Sequence, residues 1–153
     1  MARLSDIDPT LSKHLEALEC VSYESKPWVS GPPLSKRRVA IISTAGLIKR
    51  GDRPFGLGDA SYRLIPGDLD MNQVVMSHIS TNFDRSGFQQ HANVGLPIGR
   101  LRELAAAGKI GSVADYHYSF MAATDPYMMA PTVKHLAPLL KKDNVDAVLL
   151  APV

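Results

Sequence analysis

Three short sequences that contain the residue types used in ligand sites each follow an apolar segment: Ser43-Thr44-Ala45-Gly46, Ser77-His78 and Ala151-Pro152-Val153. If the apolar segments are strands of a parallel sheet, these three sequences meet at one edge. Loops and helix N-termini form ligand sites at that edge in open α/β folds. The sequence therefore predicts a small-molecule pocket there.

Each part of this pocket has a functional interpretation and a structural one. Thr44 to Gly46 could present backbone N–H groups to an anion, although one glycine makes neither a Walker loop nor a dinucleotide fingerprint. Gly56-Leu57-Gly58 follows Pro54-Phe55 and no strand, so it is discounted as a fingerprint. His78 could act as an acid, a base or a ligand, or it could cap its loop by hydrogen bonding.

The remaining candidates have simpler explanations. His117 lies among aromatic residues, where packing is the default expectation. The neighbours Asp84 and Arg85, like Arg100 and Glu103, are expected to form surface ion pairs of little energetic value. No spacing of His, Cys, Asp or Glu suggests a metal site.

Composition narrows the class of protein. The chain has 153 residues, 45% hydrophobic and 21% charged, which fits one globular domain. The net charge of +2 gives no reason to expect nucleic acid or a membrane as a partner. Cys20 is the single cysteine, so no intrachain disulfide is possible. With neither a signal peptide nor an apolar span in the sequence, we expect a cytoplasmic protein.

The helices and strands that must position the pocket are predicted from the periodicity of apolar residues and from the residues that begin or end each element. Helices are expected after Asp8-Pro9, at Pro97 and after Asp125-Pro126, and strands at 39–42, 62–65 (an edge strand), 74–76 and 145–153. Glycine-rich and polar loops are expected at 46–58 and 80–93. These elements predict an α/β fold with a mainly parallel sheet and flanking helices, of the Rossmann or flavodoxin-like type.

Three features of this assignment are specific enough to be tested. Residues 1–38 are expected to form an amino-terminal helix and an irregular arm packed by Trp28, before an α/β domain over 39–153. Pro131 and Pro138 are expected to break or kink the last helix, because each lacks a backbone donor. The last strand is expected to lack a covering element, so that the carboxyl-terminal part of the domain is missing.

Several phrases, in order, resemble the selenoprotein B family of the glycine, sarcosine, betaine and D-proline reductases. They cover most of the chain from Val39 onward, and single residues such as Asp84, Asn93 and Pro97 lie between them. The phrases are Val39–Leu47, Arg53-Pro54-Phe55, Ser61–Pro66, Ser77-His78, Arg100–Leu104, Gly108–Ser112, His117–Met121 and Val145–Val153.

The resemblance implies a reaction and its partners. In that family the position after the final Pro-Val is selenocysteine or sometimes cysteine, which suggests that here a UGA codon was read as a stop after Val153. The selenol or thiol cleaves a C–N bond of a small-molecule substrate held as an imine on a pyruvoyl partner subunit, and a thioredoxin-type thiol donor supplies the electrons. This compact chain leaves the need for the pyruvoyl partner open.

The resemblance also implies where the site lies. Thr44, Gly46, His78 and His117 would line the pocket, and Ser77, Asp84 and Val153 are further pocket candidates. No catalytic residue and no bound cofactor is expected in this chain, because selenocysteine would belong to the intact gene product.

Two other functions remain open at this stage. One is a non-catalytic α/β binding domain that pairs its exposed last strand with a partner chain. The other is an enzyme that acts on a small ligand with His78 and Asp84 as acid and base.

Overall fold

A computed structural model describes residues 3–17, 24, 26, 28–81 and 84–153 of the chain. It divides into two compact units, Met1–Ser30 and Gly31–Val153. Each unit is described by itself below. The assignment of residues 1–38 as an arm stays a prediction.

The first unit contains helix α1 (Pro9–Glu16), which begins where the sequence predicts. The Asp8 side chain accepts hydrogen bonds from the backbone N–H groups of Thr10 and Leu11, and Pro9 takes the first helical position. Trp28 is 83% exposed, so the expectation that it packs the arm is wrong. Cys20 and much of the arm, namely 18–23, 25 and 27, lie outside the described residues.

The second unit contains seven strands and three α-helices among its described residues, beginning with four strands in a row. Two short 3-10 turns that matter for the site are Met71–Gln73 and Ala92–Val94. The elements in order are β1 (Arg38–Ser43), β2 (Leu47–Lys49), β3 (Arg63–Pro66), β4 (Val74–Met76), α2 (Ser86–Gln90), α3 (Ile98–Ala106), β5 (Ser112–Val113), β6 (Tyr116–Ser119), α4 (Pro126–Lys142) and β7 (Ala147–Ala151).

Strand β1 is the centre of the main sheet. One of its edges pairs in parallel with β5 and then with β6, and the other pairs in parallel with β7 along its length. Strand β3 pairs antiparallel with β6 at the far edge, which confirms the predicted edge strand. The mixed α/β class with a mostly parallel sheet is therefore confirmed, whereas the finer Rossmann or flavodoxin-like type stays a prediction.

Helices α3 and α4 cover opposite faces of β1. Neighbouring residues of a strand point to opposite faces, and Ile41 packs in the cluster that contains Leu101 of α3. Ile42 packs instead against the cluster that contains Leu136 of α4. The central strand is continuously apolar because both of its faces are buried.

The predicted strand at 74–76 forms, but in a different sheet from the one expected. Strand β4 pairs antiparallel with β2 in a separate two-stranded sheet, with Leu47 opposite Met76. The loop expected at 46–58 thus contains a strand, and the loop expected at 80–93 contains helix α2 and the 3-10 turn at 92–94. Because β2 and β4 pair with each other, these two short strands make the backbone hydrogen bonds that isolated loops would lack.

Helix α4 runs without a break through Pro131 and Pro138, so the expected break is wrong, and the alternative of a kink stays a prediction. Each proline removes the hydrogen bond to the carbonyl four residues earlier, at Tyr127 and Lys134. All four residues are exposed, so the freed carbonyls can be hydrated. Asp125 caps the helix by accepting from the backbone N–H of Tyr127 at 2.9 Å.

At the start of β1, Arg38 joins three parts of the chain. Its guanidinium contacts Asp143, at the end of α4, at 2.5 Å and Asp115, between β5 and β6, at 2.7 Å. The Asp143 carboxylate also accepts from the backbone N–H groups of Asp115 and Tyr116. Arg38 is partly buried and so links these segments of the fold.

Strand β7 lies at the open edge of the main sheet. Ala147 and Ala151 at its ends are partly buried, whereas Val148 and Leu149 are each 40% exposed and Leu150 is 68% exposed. Within the described residues no strand pairs with its second edge. The structure therefore presents an apolar edge strand, whereas the expectation that a carboxyl-terminal part of the domain is missing stays a prediction.

Candidate functional site

The carboxyl end of β1 turns sharply at Gly46, which brings the predicted pocket residues together. Gly46 has φ of +64°, a conformation that residues with a Cβ rarely adopt. Its carbonyl accepts from the Ser77 N–H at 2.8 Å, and its N–H donates to the Phe120 carbonyl at 2.9 Å. A Cβ at Gly46 would lie 3.0 Å from the His78 Cα, so the close approach requires glycine.

Thr44 holds the end of β7 beside this turn. Its backbone N–H donates to the Ala151 carbonyl at 3.2 Å, and its hydroxyl oxygen accepts from the Val153 N–H at 2.9 Å. The same hydroxyl lies 3.4 Å from the Val153 carbonyl. The structure thus places Thr44, Gly46, Ser77, His78 and Val153 at one edge.

The loop that follows β2 closes against the same site. The Phe55 N–H donates to the Ser77 hydroxyl at 2.9 Å, and the Arg63 guanidinium stacks over the Phe55 ring at 4.1 Å. Arg63 also pairs with Asp59 at 2.7 Å. Burial raises the pKa of Asp59, but hydrogen bonds from Ser61 and Arg63 outweigh it and lower this pKa to about 2. The loop is therefore held by a permanently charged pair.

His78 is buried in this edge. Burial, together with the nearby charge of Arg85, lowers the pKa of its imidazole below the usual value of 6.5. Its Nδ1 accepts from the Ser80 N–H at 3.1 Å, so the neutral ring carries its proton on Nε2. At pH 7 the side chain is a neutral hydrogen-bond donor.

Asp84 and Arg85 do not form the ion pair expected from their adjacency. The Asp84 carboxylate accepts from the Ser86 N–H at 2.9 Å, which lowers its pKa, and no bond joins it to His78 among the described residues. Arg85 instead donates through one terminal nitrogen to the carbonyls of His78 and Ser80, at 2.8 and 2.9 Å. Arg85 was thus missed as a site residue, and its only sequence signal is its place in the segment after Ser77-His78.

His117 lies in the middle of the sheet rather than with Thr44 and Gly46. Between its pairings with β5 and with β6, β1 faces a segment that is two residues longer than its own. The ladder of backbone hydrogen bonds is therefore interrupted there. The His117 Nδ1 fills the gap by accepting from the Ile41 N–H at 2.9 Å. Burial, with a smaller effect of Arg102, lowers the pKa of this fully enclosed imidazole to about 4. A pocket role for His117 stays a prediction.

Two further findings concern the described residues. No group of three or more His, Cys, Asp or Glu side chains among them is arranged to hold a metal ion. Searching the same residues reveals no helix with the length and apolarity required to span a bilayer.

Comparison with known proteins identifies the family. The model of the glycine/sarcosine/betaine reductase selenoprotein B family matches residues 24–153, which is most of the chain. The chain belongs to this family, which confirms the resemblance read from its phrases. No solved structure matches it significantly.

The curated relatives are subunits of reductase complexes. The chain is 34% identical over 120 residues to the D-proline reductase subunit gamma of Acetoanaerobium sticklandii, which covers 76% of this chain and 49% of that protein. It is 30% identical over 122 residues to the glycine reductase complex component B subunit gamma of Carboxydothermus hydrogenoformans. This match covers 76% of this chain and 28% of that protein. It is 29% identical over 123 residues to the betaine reductase complex component B subunit beta of Peptoclostridium acidaminophilum, again covering 76% and 28%. The chain thus matches half or less of each relative's length.

Proposed function

We propose that this chain forms the substrate-binding part of an oxidoreductase of the glycine, sarcosine, betaine and D-proline reductase type. The observation that carries the proposal is the meeting of Thr44, Gly46, Ser77 and His78 with Val153 at one edge of the fold. Family membership supports the reaction class, and the pocket residues are those that its phrases predict.

The nucleophile of the proposed reaction lies outside the matched residues. The single cysteine, Cys20, precedes residues 24–153, so that segment contains no thiol. We place a selenocysteine or cysteine directly after Val153 in the intact gene product. The Val153 N–H donates to the Thr44 hydroxyl, which in turn faces the Val153 carbonyl, and these contacts would fix the backbone of that next residue beside the pocket.

A selenol or thiol there would supply a soft nucleophile for reductive cleavage of a C–N bond. Overall, two thiols become one disulfide while the C–N bond is replaced by a C–H and an N–H bond, so electrons and protons balance. A thioredoxin-type thiol donor is the proposed reductant, and other subunits, with a pyruvoyl subunit as one candidate, are proposed partners. His78, buried at this edge with its Cα beside Gly46, would help to shape the substrate site.

The codon after Val153 is the first test. An in-frame TGA or cysteine codon that continues into further family sequence is the expected result. The extended product should then oxidise a dithiol in the presence of D-proline, glycine or betaine. His78→Asn should reduce turnover strongly, whereas His135→Asn, on the exposed face of α4, should not. A TAA or TAG codon with no matching sequence after it would sink the proposal, and unchanged turnover of His78→Asn would exclude the role of that histidine.

The exposed edge of β7 favours one alternative, a non-catalytic domain that pairs this strand with a partner chain. Val148, Leu149 and Leu150 are all exposed at the open edge of the sheet. Under this alternative, an extended product would bind its partner through β7 and would show no dithiol oxidation with any of the three substrates.

A further inference from the structure

Arg85 is a partly buried cation that donates to backbone carbonyls and forms no ion pair with a described residue. Ion pairs among the described residues involve Arg38, Arg63 and Arg100, but not Arg85. Its nearest acidic neighbour in sequence, Asp84, uses its carboxylate to accept from the Ser86 N–H. A partly buried guanidinium without an anion is costly unless something else supplies one.

The guanidinium is fixed in position but keeps donors to spare. Its two hydrogen bonds within the described part of the chain, to the carbonyls of His78 and Ser80, both come from the same terminal nitrogen. A guanidinium has five N–H donors in a rigid plane, so the other terminal nitrogen and Nε keep theirs without a partner among the described residues. An arginine held in this way by carbonyl groups is suited to bind an anion without reorganising.

The position of Arg85, like its charge, supports a role in ligand binding. It is bonded to the main chain of His78, and the His78 Cα lies against Gly46 at the carboxyl end of β1. Arg85 is therefore one residue removed, through His78, from the edge at which Gly46 lies. No acidic side chain is bonded to any of these pocket residues in the described part of the chain.

We infer that Arg85 is a specificity-determining residue that binds the carboxylate of an α-amino or α-ammonio acid substrate at this edge. The inference rests on the proposed function, which it deepens by naming the substrate group that the chain recognises. Arg85 would hold the carboxylate, while the substrate nitrogen would face His78 and the end of β7.

Matched pairs of small molecules test this without any need for turnover. D-Proline and D-prolinol, and likewise betaine and choline, differ in having a carboxylate or a neutral alcohol. Binding to the 153-residue chain is followed by the chemical shifts of backbone amides. We expect each carboxylate to bind at least tenfold more tightly than its alcohol, because a charge-assisted hydrogen bond is lost in the alcohol. The shifts should be largest at Gly46, His78 and Arg85.

The variants separate recognition from folding. Arg85→Gln should weaken carboxylate binding roughly tenfold to hundredfold and leave the alcohols unchanged, and Arg85→Lys should restore part of the affinity. Arg102→Gln is the matched control, because Arg102 also donates to two carbonyls, those of Gly67 and Leu69, away from the pocket. Arg102→Gln should leave carboxylate binding unchanged. The comparison of carboxylates with alcohols uses the wild-type chain, so it stays a valid test even where a variant fails to fold.

The possible failures are distinguishable. Equal affinity for acid and alcohol in the wild-type chain, including no binding of either, overturns the role of Arg85 even where the extended product proves to be a reductase. Equal effects of Arg85→Gln and Arg102→Gln also overturn it. Carboxylate binding that depends on Arg85, in an extended product without reductase activity, would contradict the proposed function and leave the carboxylate site standing.

Discussion

At the scale of single residues, Gly46 combines a left-handed backbone with close packing. A Cβ there would lie 2.9 Å from the Met121 methyl group and 3.0 Å from the His78 Cα. Gly58 has nearly the same φ, +68°, but has no atom within 4 Å of the position of a Cβ. The two glycines therefore separate the cost of the backbone conformation from the cost of crowding.

Gly46→Ala should lower the free energy of unfolding by about 2–4 kcal/mol, because it adds a backbone penalty and a steric one. Gly58→Ala should cost about 1 kcal/mol from the backbone alone. Urea denaturation of both variants measures the difference. Equal losses would show that the approach of His78 to Gly46 is not tightly packed.

His117 should make folding sensitive to acid. Its pKa is lowered to about 4 in the folded chain, so between pH 6.5 and 4 the unfolded state takes up a proton that the folded state does not. Stability should therefore fall as the pH is lowered through this window, by on the order of 3 kcal/mol, and the contribution of His117 should be constant above pH 7.

Asparagine at position 117 tests this assignment. His117→Asn keeps a side-chain acceptor for the Ile41 N–H but does not titrate, so the slope of stability against pH should become shallower between pH 6.5 and 4. His135→Asn, at an exposed position, should keep the wild-type slope. A slope that is the same in all three proteins would mean that other groups cause the acid sensitivity.

At the scale of elements, the Arg38–Asp143 pair connects the start of β1 with the end of α4. Asp143→Ala would leave Arg38 partly buried and would remove the acceptor of the Asp115 and Tyr116 N–H groups. We expect a loss of roughly 2–4 kcal/mol in unfolding free energy. Glu103→Ala breaks the exposed pair with Arg100 and should cost less than about 1 kcal/mol. Comparable losses in the two variants would contradict a structural role for the buried pair.

Elements with local signals could be predicted from the sequence, whereas elements that depend on distant partners could not. Capping by Asp8 and Asp125 and the apolar run of β1 define their elements within a few residues. Strands β2 and β6 carry no such pattern, because β2 is only three residues long and β6 contains His117 and Ser119, polar residues that the fold buries.

The candidate site shows the same division. Gly46 and His78 were predicted as neighbours because both follow apolar segments, although β4 reaches β1 through β2 and not through the main sheet. Arg85 was missed because adjacency to Asp84 predicts an ion pair, whereas the structure directs the two side chains to different backbone groups.

At the scale of the whole molecule, the apolar edge at β7 should make the 153-residue chain self-associate. Exposed apolar strands at an open sheet edge favour pairing with other chains. Sedimentation velocity should show association that increases with concentration. Leu150→Lys should weaken it, and Leu57→Lys, at a 92% exposed loop position, should not. A monomer at every concentration tested would contradict this expectation.

The central position of β1 also affects how the chain folds during synthesis. Val39 pairs with Ala147, which the ribosome adds 108 residues later, and the partners of β1 in β5 and β6 also come late. Strand β1, with its apolar run 39–42, therefore stays without these partners while most of the second unit is translated. Such long-range pairing slows folding and leaves an aggregation-prone apolar segment of the nascent chain exposed. Chaperone binding to nascent chains should thus be strongest before β7 leaves the ribosome, and should depend on Val39 to Ile42.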